Sequence, residues 1–356
     1  MTVFINGIGV VGGFGCGIQR LEQAVIKQNI CNQETGAFGR NDTGVASSPQ
    51  AADTALLSLL IPQKALRRVD HYSRMAILAG WLALTDAGID EKMTGRLSGH
   101  MGVIVATGWG PTAGACDSLS SDSAGLHLSP IRFSNSVHNA AAAYISMLLK
   151  ISGPNLSINQ YDMSVPLAFQ TAADWLEEGR VTSVLVGGVD CCQTIHPDAS
   201  GIPEDQPADI RHHSACGGSA FFVLGMSGNE NVTYPCIHNV RVERCQHETL
   251  PPSDILLLHD GSGEKSELID PESPHANFSN IYGVFPSSMA LDIAMASLLL
   301  KNNQSLIDLL PQVHPRPDFL KNPRIRCLKK GIAGDWGMID MRRKPAFVSK
   351  VPGRPM

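Results

Sequence analysis

Short apolar runs bounded by turn residues alternate along the chain with segments whose apolar residues recur at helical spacing. Val3–Asn6, Gly102–Thr107 (GVIVAT), Leu156–Gln160 and Val181–Val186 read as strands; GVIVAT and Val181–Val186 are continuous enough to be buried on both faces. Leu21–Gln28 reads as a short helix. Over His71–Ala87, Met75, Leu78, Ala79, Leu82 and Ala83 share one face of a helix. NAAAAYISMLLK at 139–150 is a helix closed by Ile151-Ser152-Gly153-Pro154, and Pro166 opens another that Gly179 ends. Further on, SAFFVL (219–224) and DILLL (254–258) read as strands and MALDIAMASLLL (289–300) as a helix. Arg324–Leu328 and Trp336–Met341 form a closing hairpin. Small Ala-rich helices between buried strands predict a layered α/β fold. Asp190–Asp209 and Gly261–His275 are polar loops, and periodicity reveals no internal repeat.

Composition narrows the function classes. In 356 residues, 43% are hydrophobic and 17% charged, which excludes a disordered or coiled-coil chain. A net charge of −5 offers no bulk attraction to nucleic acid or an anionic membrane. The nine cysteines are an odd number without a CxxC, so a reducing compartment is expected rather than a disulfide framework. The N-terminus has no basic region before Arg20, and the apolar run from Met75 is broken by Asp86. A cytoplasmic protein is expected.

Three features invite a chemical reading. Gly7-Ile8-Gly9-Val10-Val11-Gly12 satisfies GxGxxG after a strand, the fingerprint of dinucleotide binding. Gly13, Gly15 and Gly17 continue the run, no helix opens promptly, and Glu34 is a poor ribose partner, so a structural turn is the better reading. His212, His213 and Cys216 fit no standard zinc spacing, and no metal site is expected. His259 ends the DILLL strand before a tight turn, a position that suits a cleft but more often holds a structural histidine.

Several segments together resemble the β-ketoacyl synthases. INGIGVVGGFG is similar to that family's first strand and turn, and RRVD with HYSRMAILAGWLALTDAGI (67–89) to its RRMDRFSRMALAAAREALEDAGL stretch. FSNSVHNA (133–140) followed by GPN (153–155) resembles FPNSVHNAPAG…GPN. RVTSVLVGGVD (180–190) resembles the strand ending in GGVD, CGGSAFFVL (216–224) resembles GEGAGVLVL, and SMALD (288–292) resembles SGALD. The resemblance implies a thiolase fold, layered αβαβα, with pseudo-symmetric halves at 1–190 and 191–356 in one compact unit.

The resemblance also places the family's chemistry, a Cys nucleophile at a helix N-terminus, two His and a Lys. Counting without a gap from Gly153-Pro154-Asn155, the nucleophile falls on Asp162, which cannot hold a thioester. HGTxT falls on His259-Asp260-Gly261-Ser262-Gly263, so the first His survives. KSxxGH falls on Phe278 to Gly283, where Lys has become Phe278 and the second His Gly283. GFGGTN has become Gly331-Ile332-Ala333-Gly334-Asp335-Trp336.

A preserved scaffold with lost catalytic positions resembles the chain length factors, the Cys-less partner subunits of type II polyketide synthases. That implies no independent activity and no cofactor. It implies a heterodimer with a catalytic ketosynthase, an acyl carrier protein as shared partner, and a steric ruler for an aromatic polyketide. The implied tunnel wall is Trp109, Thr112, Ala113 and Cys116, with Phe133 nearby. The implied interface strand is Leu156, Ser157, Ile158, Asn159 and Gln160. Asp162 reads first as a carboxylate stabilised by a helix N-terminus. The alternatives are the partner subunit of an aryl-polyene ketosynthase, a Cys-independent malonyl-carrier-protein decarboxylase using His259 with Asp162, and a dinucleotide-dependent oxidoreductase.

Overall fold

A computed structural model describes residues 2–35, 52–90, 99–111, 130–191, 217–228, 234–244, 256–259, 274–302, 324–331 and 334–343. Its strands are β1 (Val3–Gly12), β2 (Gly15–Cys16), β3 (Met101–Thr107), β4 (Asn155–Asn159), β5 (Ser183–Cys191) and β6 (Gly217–Gly225). They continue with β7 (Cys236–Arg244), β8 (Leu256–His259), β9 (His275–Ala276), β10 (Arg324–Lys330) and β11 (Asp335–Arg342). The helices are α1 (Ile18–Thr35), α2 (Leu57–Leu60), α3 (Gln63–Leu66), α4 (His71–Asp86), α5 (Pro130–Asn135), α6 (Ala140–Leu148), α7 (Ser164–Glu177), α8 (Ser279–Tyr282) and α9 (Met289–Asn302).

The strands fall in the order β4-β3-β5-β6-β1-β7-β11-β10-β8-β9, with β2 beside β1. The two ends of that series repeat one plan. In β4-β3-β5-β6-β1 the strands run third, second, fourth, fifth, first, and the fifth, β6, is antiparallel to both its neighbours. In β9-β8-β10-β11-β7 the order is the same, and the fifth strand, β11, is again antiparallel to both neighbours. The halves join through two residue pairs, Val3↔Ile237 and Phe4↔Cys236. Since the first set is complete only with β6, the repeat turns over between Gly225 and Cys236, beyond the division at 190 that the sequence suggests.

Layering follows from which faces are apolar. Helices α4 and α6 cover one face of the first sheet, with Met75, Leu78, Ala79 and Ala83 in a core shared with Val103, Val105 and Ile145. Helices α7 and α9 lie in the middle: α7 packs on β3 and β5 but also on β7 and β11, and α9 on β8 and β10 but also on β6. Residues 289–300 of α9 are accordingly buried on every side, as a central-layer helix requires. Asp70 caps α4 by accepting from the Ser73 N–H at 3.2 Å. Among the described residues no helix is long and apolar enough to cross a membrane.

The GxGxxG stretch is not a turn at all. It lies inside β1, whose ten residues run through to Gly12. Gly7 and Gly9 face α4 so closely that a Cβ would come within 2.3 Å of the Ala83 carbonyl oxygen and 2.0 Å of that of Ala79. A phosphate-binding fingerprint needs strand, turn and helix in succession, so the oxidoreductase reading is withdrawn. Gly9→Ala is expected to destabilise the fold by about 3 kcal/mol, the upper range for overpacking, since the obstacle is backbone. Denaturant unfolding checks this, and an unchanged midpoint would contradict it.

Candidate functional site

Local sequence explains how the site is assembled. Strand β4 ends at Asn159, and the chain turns sharply through Tyr161, which has φ 48°, into a 3-10 turn at Tyr161–Met163 and then α7. The helix thus starts at Ser164, two residues before the proline that the sequence marks as its opening. Ser164, fully buried, fixes this elbow. Its hydroxyl accepts from Gln160 N at 2.8 Å and lies 2.8 and 2.7 Å from the Thr107 and Tyr161 carbonyls, one of which takes its proton.

Asp162 sits on the inner side of that turn, 8% exposed. Its Oδ1 is 3.5 Å from the ammonium of Lys329 on β10, itself 1% exposed. Lys329 Nζ also donates to the Phe285 carbonyl at 3.1 Å and to Ser288 Oγ at 3.2 Å. One ion pair therefore ties the elbow of the first half to a strand and a turn of the second. Asp162, where ungapped counting from Gly153 predicts a lost nucleophile, is half of a buried salt bridge.

Asp190, near the end of β5, is the second organising group and is completely buried. Its carboxylate accepts from Thr107 Oγ1 at 2.7 Å, Gly108 N at 3.1 Å, Trp109 N at 2.9 Å, Gly110 N at 3.3 Å and Ser287 N at 2.9 Å. Burial pushes this carboxyl above the usual range, while the donors pull the other way. It pins the loop after β3 against the 286–288 turn, where a Cβ on Gly108 would meet Pro286 Cβ at 2.1 Å. Trp109 is held beside the elbow, its indole N–H donating to the Tyr161 hydroxyl at 3.4 Å.

The other expected site residues separate. Phe278 is 4% exposed within the central core, and Gly283 has φ 85°, a backbone state that a His would adopt only with strain. The backbone of His259 closes β8 opposite Leu328, one residue before Lys329. Leu156, Ser157 and Ile158 are half-buried, Asn155 and Asn159 are exposed, and β4 is an edge strand paired only to β3 among the described residues. Phe133 is 65% exposed on α5, not part of an enclosed wall within this chain. Thr112, Ala113, Cys116, His212, His213 and Cys216 lie outside the described residues. Among the described residues no group of three His, Cys, Asp or Glu could hold a metal.

Lys329 and Asp190 went unassigned in the sequence, although both leave a signal. Period-two reading of RIRCLKK places Lys329 on the inward face of Ile325 and Cys327. Asp190 is a lone carboxylate ending the apolar run VLVGGVD.

Known proteins match the chain in sequence and in fold. A family model described as Beta-ketoacyl synthase, N-terminal domain, matches residues 17–200. The chain is 26% identical over 129 residues to the chloroplastic 3-oxoacyl-[acyl-carrier-protein] synthase I of Hordeum vulgare, a match covering 35% of this chain and 28% of that protein. Among solved structures, it is similar to a type II polyketide synthase acyl carrier protein in complex with its ketosynthase bound to the hexaketide. That match has a TM-score of 0.67 and 15% identity, over 96% of this chain and 99% of that one. The ishigamide ketosynthase/chain length factor matches with a TM-score of 0.65 and 14% identity over the same shares. A β-ketoacyl synthase from Burkholderia phymatum STM815 matches with a TM-score of 0.64 and 15% identity, again over 96% and 99%. At these identities the structural matches show the fold, the thiolase fold of ketosynthases.

Proposed function

Because the chain belongs to the β-ketoacyl synthase family, we propose that it is a noncatalytic ketosynthase-like subunit that works as a chain length factor. The observation that supports this most is the Asp162–Lys329 pair. Thioester chemistry at this elbow needs a thiolate, and the carboxylate there is instead committed to a buried ammonium. That commitment favours a structural Asp162 over one that handles protons with His259. Phe278 in the core and Gly283 at φ 85° agree with a site whose remaining chemistry has been replaced.

In this reading the edge of β4 that no described residue pairs continues a sheet into a catalytic ketosynthase, and the 156–160 strand lies at the junction. Tyr161 and Phe133, 40% and 65% exposed, are covered there. An acyl carrier protein delivers the chain to the partner's nucleophile. Trp109, held rigidly by Asp190 and Tyr161, stands where a growing chain would meet it, so product length is a matter of steric fit.

Co-expression with a ketosynthase tests this. A one-to-one complex is expected by light scattering, and Trp109→Ala in that complex should shift the carrier-bound products to longer chains by mass spectrometry. A well-behaved monomer that ignores the ketosynthase would contradict the proposal.

A further inference from the structure

The outer face of the second sheet holds a concentration of positive charge that the site described above does not use. Along β10, Ile325 and Cys327 point into the central core, so Arg324 and Arg326 project from the opposite face. In the β10–β11 register Arg324 lies directly opposite Arg342, and Arg326 opposite Asp340. Directly opposed residues share a face with Cβ atoms about 5 Å apart, and like charges in such a pair destabilise the sheet. A register shift between Asp340 and Met341 brings His238 of β7 to the same patch, where its charged neighbours are Asp340, Arg342, Arg324 and Arg326.

The one carboxylate among these groups is already engaged. Asp340 accepts from Arg326 Nε at 2.5 Å and Arg326 Nη2 at 3.0 Å, and from Asn239 Nδ2 at 3.0 Å. Among the described residues the Arg342 side chain makes a single long contact, Nη2 to Thr2 Oγ1 at 3.4 Å, and neither its Nε nor His238 Nδ1 has a partner. Glu243, the other carboxylate that acts on Arg326, is paired with Arg241 at 3.6 Å, so among the described residues two positive charges are left unmet, concentrated on the Arg324–Arg342 pair. Two planar forks at paired positions of adjacent strands suit the oxygens of a tetrahedral anion better than a point charge would.

We infer that Arg324 and Arg342, backed by Arg326, hold a small oxoanion of the phosphate class on the outer face of the second sheet. The site is independent of the Asp162 pocket: Arg324 precedes Lys329 by five positions, about 17 Å of strand, on the opposite face. The bound anion relieves the repulsion built into the register, so it links ligand to stability.

Thermal unfolding of the full chain, with chloride exchanged for inorganic phosphate at constant ionic strength, tests this. At a hundredfold excess of phosphate over its Kd, Tm is expected to rise by about 3 °C. Arg324→Gln, at an exposed position, should abolish that gain and raise Tm in chloride, because it removes one of two opposed like charges. Arg342→Gln should abolish the gain as well. A parallel arm with methyl phosphate separates the two sources of the anion, an equal gain pointing to the free ion and a larger gain to a phosphate monoester. Absence of any gain with phosphate, or a gain that survives in both variants, overturns the inference.

Discussion

Lys329→Met is expected to destabilise the protein by about 3–5 kcal/mol, the cost of leaving a buried partner charge uncompensated. Asp162 is 8% exposed and has Lys329 3.5 Å away, so removing the ammonium strands the carboxylate where water reaches it poorly. The same change takes one of two donors from the Phe285 carbonyl, which keeps the Ser288 N–H at 2.9 Å, and removes the ammonium that the Ser288 hydroxyl bonds. Asp162→Leu combined with Lys329→Met should recover most of the loss, since well-packed apolar residues often replace a buried ion pair without penalty. Denaturant unfolding of the single and double variants measures the coupling. If the double variant is as unstable as the sum of the singles, the pair is not a unit, and the elbow is held by something else.

Asp190→Ala should cost at least about 3 kcal/mol, because it removes the acceptor of several buried donors at once. Those donors belong to separate elements: Thr107 at the end of β3, the backbone of 108–110, and Ser287 in the second half. The loss should therefore be local as well as global. Amide exchange is expected to accelerate at Gly108, Trp109 and Gly110 before the core of β3 and β5 opens. Asp190→Asn serves as the gentler control, keeping one oxygen but presenting an amide where only acceptors fit. Native-like exchange at these amides in both variants would contradict the clamp.

Where burial is unambiguous, the chain announces its structure. GVIVAT, SVLVGGVD and MALDIAMASLLL are apolar enough that their strands and central helix are found within a few residues of the expected limits. Strand β7, CIHNVRVER, went unread because its residues are mostly half-buried or exposed and its alternation is broken where the register shifts at His238. The glycines of β1 imitate a nucleotide turn because close packing and phosphate binding both demand a missing Cβ. The repeat of the two halves is a repeat of strand order, not of residues, and no periodicity could display it. At the site, the resemblance singled out Asp162 as an expectation only, and its partner Lys329 is 167 positions away in sequence and meets it only through packing.

The most direct measurement is intact-protein mass spectrometry of this chain and a ketosynthase after incubation with acyl- and malonyl-carrier proteins. All added acyl mass is expected on the ketosynthase and none on this chain, with or without its partner present. A stable acyl adduct on this chain would contradict the account.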